Sequence, residues 1–151
     1  MLSAVPAAIF AAAFDPLFDE QSHVRRSPRR TTTPRRRVLV VDDERLIADT
    51  LAEILSDEGF EVVAVYGGIQ AVQQASQLCP HAVIADVMMP GMNGVEAAKL
   101  IADACPDAKI LLISGHVGTG ELLDGALSDG YSFEVLPKPI RPEKLLAKLR
   151  S

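Results

Sequence analysis

The chain has 151 residues, 48% of them hydrophobic, enough for the core of one ordinary domain, and no residues remain for a second. Its formal charge of −5 is unevenly spread: residues 1–37 hold seven arginines against Asp15, Asp19 and Glu20, which gives +4 and leaves −9 beyond. The acidic part argues against nucleic-acid binding, since phosphate backbones demand positive charge, and neither the G-x-x-x-x-G-K-S/T nor the G-x-G-x-x-G phosphate loop occurs.

Residues 4–14 are apolar and alanine-rich. No Lys or Arg precedes Arg25, so the basic start of a secretory signal is missing, and the run is too short to span a bilayer. Residues 21–37 mix Ser, Thr, Pro and Arg without hydrophobic periodicity. The reading is a disordered basic extension over residues 1–36 and one folded domain over residues 37–151.

Val38 to Val41 form an apolar run that ends in Asp42-Asp43. Ile47, Leu51, Ile54 and Leu55 then recur at helical spacing, and Gly59 closes that helix. Phe60 to Val65 alternates into a second strand, and Gly67-Gly68 turns into a helix carrying Ile69, Val72, Ala75 and Leu78, stopped at Cys79-Pro80. A third run, Ala82 to Ala85, ends in Asp86. A loop with Pro90, Gly91 and Gly94 leads to a helix bearing Val95, Ala98 and Ile101. Ile110 to Ile113 runs into Ser114, with His116 two residues on. Gly118, Gly120 and Gly125 are expected to interrupt the fourth helix, each interior glycine costing about 1 kcal/mol. Phe133 to Pro137 runs into Lys138-Pro139, and Pro142 starts a last helix carrying Leu145, Leu146 and Leu149. Cys79 and Cys105, each followed by proline, could form one disulfide, but they read as buried or partly buried structural thiols.

Five apolar runs alternating with helices predict a parallel α/β sheet. Ligands of such sheets bind outside the carboxyl ends of the strands. Asp42, Asp43, Asp86, Ser114 and Lys138 all stand at such ends. Three carboxylates, a hydroxyl and an ammonium suit one divalent cation and one phosphoryl group. A haloacid-dehalogenase-type phosphatase would need an acid two residues past its nucleophile, where Met88 stands.

With these motifs, including Asp86-Val87-Met88-Met89-Pro90-Gly91-Met92-Asn93-Gly94, the chain resembles the receiver domain of two-component response regulators, of the stand-alone type, over about residues 36–150. The resemblance implies a flavodoxin-like doubly wound fold with five parallel strands in order 2-1-3-4-5. It implies Asp86 as phospho-acceptor, and Mg2+ held by Asp42, Asp43, Asp86 and the Met88 backbone carbonyl. Ser114 takes the switch position and Lys138 the phosphoryl-contacting lysine, with a cis Lys138-Pro139 bond. Partners implied are a histidine kinase or histidine phosphotransfer protein in the cytoplasm, engaged near Leu46 and the loop after Lys138. A downstream protein and a second copy of the chain are further candidates; a membrane is not, and the alternative is an interaction module independent of phosphorylation. The pattern departs from the family at Val135, where an aromatic switch residue is usual; Phe133 lies two residues earlier on the same strand face.

Overall fold

A computed structural model of the chain describes residues 35–115 and 119–151. Residues 1–34 and His116 therefore lie outside the described residues, and with them most of the basic extension.

The elements alternate: β1 (Arg37–Val41), α1 (Arg45–Asp57), β2 (Glu61–Val65), α2 (Gly68–Leu78), β3 (Ala82–Asp86), α3 (Gly94–Ala104), β4 (Lys109–Ser114), α4 (Thr119–Ser128), β5 (Glu134–Pro137) and α5 (Pro142–Arg150). All pairings are parallel, and the strand order is β2-β1-β3-β4-β5, as the resemblance implied.

Because side chains alternate along a strand, each central strand feeds two cores. Val38, Val40, Ile84, Leu111 and Ile113 pack on one face against Ala48, Leu51 and Leu55 of α1 and Leu145 and Leu149 of α5. Leu39, Val41, Val83, Ala85 and Leu112 pack on the other against α2, α3 and α4. That explains why β1, β3 and β4 read as unbroken apolar runs. Each fully buried Leu or Ile contributes about 1.5–3 kcal/mol. Among the described residues, no helix is long and apolar enough to cross a membrane.

Two expectations need correction. The fourth helix is not broken: α4 runs without interruption through Gly120 and Gly125, while Gly118 lies outside the described residues. Its inward side, with buried Ala126 and half-buried Leu122 and Leu123, is held by the core, which outweighs the glycine cost. Cys79 and Cys105 are not separate thiols but are joined as a disulfide between the ends of α2 and α3. The Lys138-Pro139 peptide is cis, as implied.

Candidate phosphoryl-binding site

Strand register delivers the polar tips to one place. Val41 pairs with Ala85, so Asp42 lies beside Asp86. Asp86 pairs with Ile113 and Ser114 with Pro137, which brings Ser114 and Lys138 alongside. Carboxylate oxygens of Asp42, Asp43 and Asp86 lie within 4.8 Å of one another. Lys138 Nζ stands 3.4 Å from Asp86 Oδ2. Asp42 and Asp86 are only 3% and 6% exposed, whereas Asp43 is exposed.

Burial dominates the electrostatics. It pushes the Asp86 carboxyl above the usual carboxylate range, against the Lys138 ammonium and the Met88 N–H, which pull it down. Burial also pushes Asp42 up, opposed by the Glu44 N–H, which donates to Asp42 Oδ1 at 3.0 Å; the neighbouring Asp86 and Asp43 charges push it further up. Three acids of like charge with one ammonium form a cup short of positive charge. Clustered oxygen donors of this kind fit a hard divalent cation such as Mg2+, and the donor set is chemically right for it.

The loop after Asp86 is built for close approach. A Cβ on Gly94 would stand 2.1 Å from the Asp86 carbonyl oxygen, so only glycine lets α3 begin directly beneath β3. Asn93 caps α3: its side chain accepts from the Glu96 N–H at 2.9 Å, while Glu96 accepts from the Asn93 N–H at 3.0 Å. The Asn93-x-x-Glu96 spacing is a capping-box signature that a closer sequence reading could have found. Met88, two residues past Asp86, is 42% exposed.

Ser114 Oγ shares a short hydrogen bond with the buried Thr119 hydroxyl at the start of α4. Sequence reasoning missed Thr119, since a lone threonine at a helix start signals only a cap. Phe133 is stacked on Tyr131, ring centroids 5.9 Å apart, and the Tyr131 hydroxyl donates to Asp103 at 2.7 Å. The aromatic nearest the switch position is thereby tied to the end of α3, and Val135 is half-buried. Beside the acidic cup, an apolar groove of about 770 Å³ is lined by Leu46, Ile47, Leu51, Ile54, Pro139 and Ile140. Leu46 is 80% exposed at its edge.

Residues 38–150 match the family model described as response regulator receiver domain. The chain is 32% identical over 119 residues to the DNA-binding response regulator MtrA of Mycobacterium bovis, covering 79% of this chain and 51% of that one. It thus spans about half the length of the curated relatives it matches. Among solved structures, Vibrio cholerae chemotaxis protein CheY4 superposes with a TM-score of 0.67 at 28% identity, covering 78% of this chain and 98% of that one. A Burkholderia pseudomallei response regulator solved with a phosphorylated aspartic acid gives a TM-score of 0.67 at 28% identity, covering 76% of this chain and 66% of the other. Fold, strand-end acids and family match agree, and the chain belongs to the response regulator receiver domain family.

Proposed function

We propose that this chain accepts a phosphoryl group on Asp86 from the phosphohistidine of a kinase or phosphotransfer protein, in a Mg2+-dependent reaction, and signals through the resulting change in shape. The observation that carries it is the acidic cup: three carboxylates within 4.8 Å and one ammonium 3.4 Å from the most central of them.

An Asp86 oxygen attacks phosphorus, the donor's P–N bond breaks, and the imidazole leaves as an acyl phosphate forms. Bound Mg2+, held by Asp42, Asp43, Asp86 and the Met88 carbonyl, would neutralise charge on the phosphoryl oxygens. Lys138 neutralises a second oxygen. Ser114 donates its hydroxyl to a third, and a shift of Ser114 toward that oxygen strains its bond to Thr119 and so reaches α4. The apolar groove between α1 and the loop after Lys138 takes the donor's helix, with Leu46 at its rim.

The same proposal assigns the folded module to residues 37–151, the basic residues 1–36 to an extension outside it, and the chain to the cytoplasm. For the chemistry, purified protein with acetyl phosphate and Mg2+ should gain one phosphoryl mass, mapped to Asp86. The gain should vanish in EDTA and in Asp86→Asn. Labelling that survives Asp86→Asn overturns the assignment.

A further inference from the structure

At the end of the sheet opposite the acidic cup, α2 and α3 finish side by side. Each is ended by a cysteine followed by proline, and the cysteine N–H closes the last turn: Cys79 to Ala75 O at 2.8 Å, Cys105 to Ile101 O at 2.7 Å. Cys79 caps α2 in the left-handed region, with φ 40°. The two Cα atoms are 5.5 Å apart, the usual span of a disulfide, and the sulfurs are bonded. A carbonyl also stands near each sulfur to receive an S–H on reduction. Cys105 Sγ lies 3.3 Å from Ala75 O and Cys79 Sγ 3.9 Å from Ala104 O. The two sulfurs differ in access: Cys105 is buried and Cys79 exposed.

We propose that Cys79 and Cys105 are a reversible thiol–disulfide pair, entered through Cys79, whose oxidant is a small-molecule disulfide of the glutathione class. Buried thiols react slowly and exposed ones first, which sets the order of events. The Cys79 thiolate attacks one sulfur of the small disulfide, expelling one thiolate and leaving a mixed disulfide on Cys79. The Cys105 thiolate then attacks Cys79 Sγ, expelling the second. The protein gives up two electrons and two protons, and the small disulfide becomes two thiols. Excess thiol reverses both steps.

The bond closes a covalent ring over residues 79–105, which contains β3, Asp86, the loop to Gly94 and all of α3. Oxidation therefore restrains the segment that carries the acceptor, and it also fixes the end of α3 where Asp103 holds Tyr131. For a ring of this length the expected gain in melting temperature is roughly 10 °C. The inference is independent of whether Asp86 is phosphorylated.

The test uses the full chain in defined mixtures of oxidised and reduced glutathione, quenched with an alkylating reagent and read by intact mass. Wild type in excess oxidised glutathione should take no alkyl group and no glutathione, and excess reduced glutathione should restore two alkylatable cysteines. Cys105→Ser should trap one glutathione on Cys79, at least tenfold faster than Cys79→Ser acquires one on Cys105. Two alkylated cysteines under oxidising conditions, or a bond that survives excess reduced glutathione, overturns the pair. Equal trapping rates in the two serine variants overturn the entry through Cys79. The wild-type arm needs no substitution, so misfolding of a variant does not shield the proposal.

Discussion

Asp42→Asn should make the metal-free protein more stable while removing most of its stabilisation by Mg2+. Two unit charges 4.8 Å apart repel by about 3.5 kcal/mol at an effective dielectric constant near 20, and by about 0.9 kcal/mol at that of water. Asp42 faces two such neighbours from a position only 3% exposed, so it also bears a desolvation cost. The Lys138 ammonium offsets part of this, because it stands 3.4 Å from Asp86 and attracts Asp42 as well. The asparagine Oδ1 can keep the 3.0 Å bond from the Glu44 N–H, so the local turn is retained. Its amide can donate to the remaining carboxylates. A net gain of about 1–2 kcal/mol follows, seen as a rise of about 3–10 °C in melting temperature in EDTA at pH 7.5. Adding MgCl2 should raise wild type clearly and the variant little, because the ion has lost a buried ligand. A variant that melts at or below wild type in EDTA would refute the reasoning, since it would mean that the cup is not under electrostatic stress.

Met88→Asn should shorten the life of the acyl phosphate roughly three- to tenfold, about 1 kcal/mol of barrier, because an amide beside the acceptor guides water where the thioether excludes it; decay no slower in wild type contradicts this, read by loss of the phosphoryl mass with time. Gly94→Ala should cost about 2–3 kcal/mol or more in urea unfolding and depress Asp86 labelling, because its Cβ would meet the Asp86 carbonyl oxygen at 2.1 Å and backbone cannot swing aside; an unchanged midpoint would show that the loop relaxes freely. Leu46→Asp should slow transfer from the cognate kinase roughly fivefold, about 1 kcal/mol, and leave labelling by acetyl phosphate unchanged; equal losses in both assays would place Leu46 in the chemistry rather than in docking.

Much of this was legible in the residues because a parallel sheet imposes a simple code. Val38 to Val41, Ala82 to Ala85 and Ile110 to Ile113 are apolar on both strand faces, and register then carries their following residues to a common edge. The pattern alone thus brings Asp42, Asp86, Ser114 and Lys138 together. The misreadings have physical causes. Glycine propensity predicts a broken α4 at Gly118, Gly120 and Gly125, but propensity is local whereas the packing of Ala126, which holds the helix through Gly120 and Gly125, is not. Cys79 and Cys105 are 26 residues apart in sequence, and nothing in that spacing states that α2 and α3 end side by side. The Ser114–Thr119 bond and the stacking of Phe133 on Tyr131 depend on side-chain directions that periodicity does not encode.

A crystal of the protein grown with beryllofluoride and Mg2+ tests the central claim most directly. The account expects the adduct on Asp86 alone, the ion against Asp42, Asp43 and the Met88 carbonyl, and both Lys138 Nζ and Ser114 Oγ turned onto its fluorines. An unmodified Asp86 under saturating reagent, or an adduct on any other carboxylate, would contradict it.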